Sequence, residues 1–191
     1  MDNKVNEISN LIDKIYTGFI LRDFFAKILP GLILILSFSF FLFNKFIDLK
    51  FLNSFIIILF FGLAWIIAFS IQSIGESFKL IKYWLPDEKD NWSNLLNECL
   101  SKSTIDEKSN CERLIVIKEA SGNLAISLIL STIIVSARLL INNMSIVSKY
   151  EFWFAILFVF FIAFFLLKNH QNLLVKQHIY MKSIANKKRN N

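Results

Sequence analysis

The sequence predicts an all-α integral membrane protein with four membrane-spanning helices and a small helical cap on the cytoplasmic side. Of its 191 residues, 55% are hydrophobic and 19% are charged, whereas soluble domains carry about 45–50% apolar and about 25% charged residues. The apolar residues are gathered into long uncharged runs, and 5 Gly and 2 Pro leave few helix breakers. This composition excludes a disordered chain, a collagen-like repeat, a disulfide scaffold and an ordinary water-soluble enzyme.

Four of the apolar runs have the length that a membrane-spanning helix requires. A hydrocarbon core of about 30 Å is crossed by roughly 20 apolar residues, with about 17–25 tolerated. None of the runs alternates between apolar and polar residues, as a transmembrane β-strand would. We therefore expect four spanning helices, in residues 28–44, 51–75, 120–137 and 152–167.

The distribution of Lys and Arg predicts the orientation of these spans. Of the 21 basic residues, 17 lie before the first span, between the second and third spans, or after the fourth. Basic segments stay in the cytoplasm, so we expect a multi-pass protein of the bacterial inner membrane with both termini inside. The chain then divides into an amphipathic cytoplasmic helix (1–25), a first transmembrane hairpin (26–75), a cytoplasmic helical loop (76–119), a second transmembrane hairpin (120–168) and a basic cytoplasmic tail (169–191).

The predicted cytoplasmic parts have helical patterns. In residues 1–20, apolar residues three and four positions apart form one face, which we expect to pack on the protein's own helices or a sister subunit. The second span is expected to extend as a helix through Trp84, before a break at Pro86. Thr104 and Glu107 have the spacing of a capping box and predict a helix that runs on into the third span. The tail is expected to continue the fourth span.

A polar stripe runs along the third span, over about a quarter of the helix circumference. An arginine inside a span costs at least about 2.5–3.5 kcal/mol at the bilayer centre, so its surroundings bear on function. In one interpretation the small residues allow close helix contact while the arginine reaches lipid phosphates or Glu151. In the other, the stripe lines a polar path in an oligomer. Its members are Asn123, Ser127, Ser131, Arg138 and Asn142.

Other positions are candidates for packing and binding. Gly62, Ala64 and Ala68 in the second span are expected to be helix-packing sites, and the fourth span is expected to face lipid. The apolar residues of the loop are possible partner-binding positions, and the basic end of the tail is a possible contact for lipid headgroups. A nucleic-acid ligand is not expected. The possible partner-binding residues are Trp92, Leu95 and Leu96. The possible contacts for lipid headgroups are Lys187, Lys188 and Arg189.

The sequence lacks the residues that intramembrane catalysis requires. The spans contain no Asp, Glu or His, and His170 and His178 both fall in the tail. Cys99 and Cys111 lie in the loop without neighbouring His, which predicts free thiols in a reducing compartment and no zinc site. The sequence therefore predicts a non-enzymatic protein without a cofactor, metal ion or catalytic residue.

The overall layout resembles the small membrane subunits of bacterial phage-defence systems, with the KwaA family of the Kiwa system the nearest. The start of the first span, Phe24-Phe25-Ala26-Lys27-Ile28-Leu29-Pro30-Gly31, has the character of that class. The resemblance implies an oligomeric membrane sensor or anchor that docks a cytosolic effector. It assigns a role to no individual residue.

Two other classes of protein share this layout. One class is a pore-forming protein, such as a phage-lysis holin or a depolarising defence effector. If the chain belongs to it, we expect the stripe around Arg138 to be in contact with water. The other class is an immunity protein against a pore-forming bacteriocin, which has the same number of spans and both termini inside. If the chain belongs to it, we expect it to protect the cell through contacts within the bilayer.

Overall fold

A computed structural model describes residues 24–43, 54–85, 91–142 and 149–187. Within those ranges the chain is helical and contains no β-strand. Four of the helices are long and apolar enough to cross a membrane, which confirms an all-α, multi-pass membrane protein. The helices are α1 (Leu29–Phe43, preceded by a π-helical turn, Phe24–Ile28), α2 (Ser54–Ser77), α3 (Trp92–Lys102), α4 (Ile105–Asn142) and α5 (Tyr150–Ala185).

Three contacts between segments distant in sequence define one end of the bundle, which we call the cap end. The Asn123 side chain contacts Ala26 at the start of the first spanning segment. The Lys82 backbone, just after α2, contacts His170 in α5, and the Lys102 ammonium at the end of α3 contacts the Ala185 carbonyl. The spanning helices therefore run alternately away from the cap end and back towards it.

Helices α4 and α5 continue well beyond the membrane. They contain 38 and 36 residues, which at 1.5 Å per residue is about 57 and 54 Å, against a hydrocarbon core of about 30 Å. This confirms that the loop helix runs into the third span and that the tail extends the fourth. We take the charge-free parts, residues 120–137 and 152–167, as the membrane-spanning segments of these two helices.

Helices α1 and α2 touch through small residues. Gly31 lies so close to Ala64 that a Cβ built on it would be 2.6 Å from the Ala64 carbonyl carbon. Ala64 and Ala68 are fully buried, which confirms them as packing sites. The same prediction for Gly62 is wrong, because Gly62 is exposed and a Cβ added there would have no neighbour within 4 Å.

Helix α5 has two environments along its length. Its charge-free part is largely exposed, with Phe154 and Leu157 about two-thirds exposed or more, in agreement with a lipid-facing span. Of its nine buried residues, eight follow Leu167, in the part that belongs to the cap. One helix is therefore a peripheral span and then a core element of the cap.

The chain leaves α2 earlier than its composition predicts. The expected extension through Trp84 is wrong, because α2 ends at Ser77 and Lys79 has a positive φ of 59°. The Lys79 N–H donates to the Glu76 carbonyl and the Leu80 N–H to the Gly75 carbonyl, each at 2.8 Å. This pair of bonds is a Schellman motif, which ends a helix by turning the chain back on its last turn. The predicted break at Pro86 lies outside the described residues.

The remaining expectations for the cap concern α3, α4 and the N-terminal segment. The helical spacing of Trp92 to Leu100 corresponds to α3. The capping box is confirmed, since the Glu107 carboxylate accepts the Thr104 N–H at 2.9 Å and the Thr104 hydroxyl accepts the Glu107 N–H at 3.3 Å. The amphipathic helix predicted for residues 1–20 lies outside the described residues.

Candidate functional site

The polar stripe of α4 begins with a side chain that compensates for a proline. Pro30 has no N–H to give to the carbonyl four residues earlier, which is that of Ala26. The buried Asn123 amide donates to this carbonyl at 2.6 Å. In lipid, a backbone carbonyl without a donor costs free energy, and neighbouring helices commonly supply the missing bond. Asn123 therefore joins α4 to the start of the first span.

The next member of the stripe extends the same joint. The fully buried Ser127 hydroxyl donates to the Pro30 carbonyl at 2.7 Å. Asn123 and Ser127 thus lie inside one chain, with their donors bound to the backbone of the first span. This arrangement matches the interpretation of the stripe as a helix-packing surface over its cap-end half.

The other half of the stripe has a different environment. The Ser131 hydroxyl is buried without a hydrogen-bond partner, and the side chain lines an apolar groove of about 300 Å³ between α4 and α5. The Arg138 guanidinium lies over the Phe41 ring at 5.9 Å, and its Nε is buried without a partner. Asn142 is exposed. The stripe is therefore not one continuous surface.

A second polar cluster lies where the chain leaves α2, which we call the junction: residues 78–85 with Gly122, Lys118 and His170. Its apolar anchor is Ile81, which is 4% exposed and packs among core residues of α2 and α4. Two glycines make room for it. A Cβ on Gly75 would meet Ile81 Cδ1 at 2.5 Å, and one on Gly122 would meet Ile81 Cγ1 at 3.2 Å and His170 Nδ1 at 2.9 Å.

The imidazole of His170 holds this segment from the opposite side. His170 is 1% exposed. Its Nε2 accepts the backbone N–H of Lys82 at 3.0 Å, and its Nδ1 lies 2.8 Å from the Lys118 carbonyl. Because a carbonyl can only accept and an N–H can only donate, Nδ1 carries the hydrogen and Nε2 is bare. The ring is thus a neutral imidazole with both nitrogens in use.

The charge balance around the junction favours that neutral ring. His170 and Lys118 lie outside the spanning segments. Burial lowers the pKa of His170, the hydrogen bond to the Lys118 carbonyl raises it and the nearby Lys118 ammonium lowers it, and the net effect is a lowered pKa. Burial also lowers the pKa of Lys118, to about 8. The Lys118 Nζ is 3.4 Å from the Tyr83 carbonyl and 5.7 Å from the Tyr83 ring. Two titratable side chains thus hold residues 82 and 83.

The core of the cap is formed by α3, α4 and α5. Cys99 and Cys111 are both buried there. Burial raises the pKa of Cys111 to about 11, and a buried thiol of this kind is chemically inert. Both are free thiols, as predicted. Within the described ranges, no group of three or more potential metal-ligating side chains is found.

The predicted partner-binding residues are used within the cap. Trp92, Leu95 and Leu96 are half-buried and pack against the cap core. The Trp92 ring stacks on that of His178, with 6.4 Å between centroids and 17° between planes. The structure thus uses the apolar face of α3 to hold this helix on α5. Because all three side chains stay partly exposed, their contact with a partner stays a prediction.

The basic end of the tail is only partly described. The Lys187 ammonium pairs with the Glu107 carboxylate, and this hydrogen bond lowers the pKa of Glu107. In the structure Lys187 therefore ties the end of α5 to the start of α4. Lys188 and Arg189 lie outside the described residues, and their contact with lipid headgroups stays a prediction.

The sequence carries a signal for the Asn123 contact and none for the junction. A proline within an apolar run predicts an unbonded carbonyl four residues before it, and Asn123 is the only amide of the third span's charge-free run that can reach one. This signal was present in the sequence and was missed by pattern reasoning. The junction had no comparable signal. His170, Gly122 and Ile81 are far apart in sequence, and only the packing of three segments brings them together.

No protein-family model matches the chain, and no curated protein or solved structure is significantly similar to it.

Proposed function

We propose that this protein is a non-enzymatic protein of the bacterial inner membrane that senses or anchors at the membrane and docks a cytosolic protein through its cap. One observation carries the proposal: the helices that form the second hairpin in the membrane, α4 and α5, also form the core of the cap. A continuous helix transmits a shift or rotation along its length, so the cap follows changes in the membrane part.

The surface of the cap supports a docking role. Its α4 segment presents Glu112 and Arg113 to solvent, and the exposed side chains of the cap also include Ile105 and Ile179. A surface that exposes both charged and apolar side chains suits a reversible contact with a soluble protein, because such interfaces are about as polar as the rest of a protein surface. The resemblance to phage-defence membrane subunits favours antiviral defence as the setting.

In-cell photo-crosslinking tests the docking proposal. A photo-crosslinking amino acid replaces Arg113 on the cap or, as a matched control, Phe154 in the lipid-facing part of α5. Both positions are exposed. The cells also carry the genes that neighbour this one in its own genome. A soluble protein linked from position 113 and not from 154 supports docking, and adducts confined to membrane proteins at both positions overturn it.

The proposal includes a homo-oligomer. The exposed apolar faces of α2 and α5 offer area for contact with lipid or with a second copy. Mass measurement of the purified protein over a range of detergent-to-protein ratios tests this. A single mass of one chain at every ratio would exclude the oligomeric forms of both the sensor and the pore.

A pore is the second candidate, favoured by the half of the stripe that lies away from the cap end. Arg138 and Ser131 bring partly unsatisfied polar atoms into the spanning part of α4. Membrane potential is measured with a voltage-sensitive dye in bacteria that make wild type or Arg138→Leu at matched levels. Depolarisation that the substitution alters favours a pore lined by α4. No depolarisation from abundant inserted protein leaves the docking role.

A further inference from the structure

We propose that His170 makes the junction an acid-sensitive latch: when its imidazole takes up a proton, residues 78–85 are released from α4 and α5. The proposal concerns the fold itself and is independent of which partner the cap docks. It rests on the position of one buried ring between three segments and on the hydrogen bonds that this ring makes.

The geometry allows the closed junction only with a neutral ring. The Nε2 atom accepts the Lys82 N–H at 3.0 Å, and this bond requires a bare nitrogen. Protonation places a hydrogen on Nε2, so that two donors face each other across that distance. The ring cannot turn to recover an acceptor, because Nδ1 already donates to the Lys118 carbonyl at 2.8 Å and protonated imidazole has no acceptor.

Space around the ring is as restricted as its hydrogen bonding. Gly122 has only a hydrogen on the side that faces His170 Nδ1. A Cβ in its place would lie 2.9 Å from that nitrogen. With the ring 1% exposed, water cannot reach it while the segment is closed. A charged imidazole in that position would be buried without an acceptor for Nε2–H, which is costly. Opening the segment exposes the ring and removes the cost.

One of the charged groups around the ring, Lys118, acts in the same direction. From α4, the Lys118 ammonium repels a second positive charge, and Glu119 interacts with Lys118. From the segment itself, the Lys82 side chain is exposed and Tyr83 lies against Lys118. At the end of α2, the exposed Glu76 interacts with Tyr83. A carboxylate in hydrogen-bond contact with the imidazole would oppose opening, and none of the described residues provides one.

The segment that would be released connects the membrane part to the cap. It follows α2 directly, and its turn is closed by local bonds to Gly75 and Glu76. Its contacts beyond that turn include the Ile81 side chain, the Lys82 N–H on His170 and the Tyr83 carbonyl on Lys118. Loss of the His170 bond therefore removes one attachment and introduces a repulsive charge beside another.

The sign of the pH dependence follows from linkage. The closed state has a His170 pKa below its ordinary value of about 6.5, so the open state binds more protons. Closure is therefore fully stable above that pH and weakens as the pH falls below it. Between pH 7.5 and pH 5.5 one such group increases the open population by up to about tenfold.

Hydrogen exchange measured by mass spectrometry tests the latch on the full chain in detergent. Exchange of the peptide covering residues 78–85 is followed at pH 7.5, 6.5 and 5.5 and divided by the chemical rate of an unstructured peptide. The variants are His170→Gln, which keeps an acceptor oxygen and does not titrate, and His178→Gln. The second is a matched control, because the chain has two histidines and His178 is also buried on α5.

We expect wild type and His178→Gln to lose protection by up to about tenfold at pH 5.5, while His170→Gln stays equally protected at all three values. Equal loss in His170→Gln and wild type, or no loss in wild type, would overturn the proposal.

A second measurement decides the outcome if His170→Gln is open at every pH. In His178→Gln the remaining histidine is His170, so NMR of labelled histidine follows its titration directly. Ring titration and segment opening must share one midpoint below about 6.5. Separate midpoints would mean that another group opens the segment, and the latch would be wrong.

Discussion

The cap and the spanning part of the molecule bury polar groups in different ways. In the cap, large polar side chains are fully buried, among them Lys118, His170 and Gln177. In the spanning part, the buried polar residues are small, as with Ser37 and Ser127, or serve a backbone carbonyl, as with Asn123.

The difference follows from what surrounds each region. In the membrane, helix contacts gain little from excluding lipid, so close approach of small residues and satisfied backbone groups dominate. The cap borders water, where burying the stems of long side chains is favourable and their polar ends find carbonyls to bind. The close helix contact in the spanning part is accordingly made by glycine and alanine, while the cap buries histidine and lysine side chains.

The strongest test of this contrast is Gly31→Ala. A Cβ would lie 2.6 and 2.8 Å from the Ala64 carbonyl carbon and Cα, and backbone atoms cannot move aside as a side chain can. We expect a loss of about 3 kcal/mol or more, at the upper end for overpacking. Thermal unfolding in detergent measures it. Gly62→Ala is the control, since that position faces open space; equal effects of the two would contradict the close contact.

Next in size is Asn123→Ala, which leaves the Ala26 carbonyl without its donor. Interhelical hydrogen bonds in membranes average about 0.6 kcal/mol, while an orphaned buried group costs about 1–3 kcal/mol. Because Pro30 removes the usual helical donor, we expect the loss to exceed about 1 kcal/mol. Thr132→Val is the control, since Thr132 bonds within its own helix. The idea fails if both variants unfold at the same temperature.

Gly75→Ala tests the junction through its apolar anchor. The added Cβ would meet Ile81 Cδ1 at 2.5 Å, and we expect a loss of about 1–2 kcal/mol. Ile81→Val removes that methyl group, so the double variant should recover part of the loss. A double-mutant cycle of unfolding free energies measures the coupling. Additive effects would show that the two residues do not compete for this space.

The smallest expected effect is that of Thr104→Ala at the start of α4. The Thr104 hydroxyl accepts the Glu107 N–H at 3.3 Å, and loss of such a cap costs typically about 1 kcal/mol. Because Thr104 is in the cap, we expect faster hydrogen exchange in the first turn of α4 and unchanged exchange in its spanning segment. Faster exchange along the whole helix would mean that cap and span unfold together.

The fold could be predicted in most respects because hydrophobic length and charge are local properties. The four spans, the helix α3 and the continuity of α4 follow from runs and spacings of a few helical turns. The end of α2 could not be predicted, because Ser77 to Trp84 has no Gly or Pro and the turn places a lysine in a left-handed conformation. Packing of Ile81 into the bundle accompanies that turn.

The polar stripe shows how far a helix projection can be taken. Spacing places Asn123 and Arg138 on one face of α4, and the structure has them in different environments, one bound to a carbonyl and one over an aromatic ring. A projection describes one helix and contains no information on which neighbour covers each turn.

Hydropathy and charge along the chain were enough to establish four helices that can cross a membrane, where each lies and which segments extend beyond it. These features depend on the transfer of apolar and charged side chains into lipid, which each segment undergoes independently. Helix packing alone determined that Ser127 binds the Pro30 carbonyl, that Trp92 packs against the cap core and that His170 holds the junction. Those contacts join residues up to 97 positions apart. Their existence depends on the relative placement of whole helices, to which local sequence preferences contribute little.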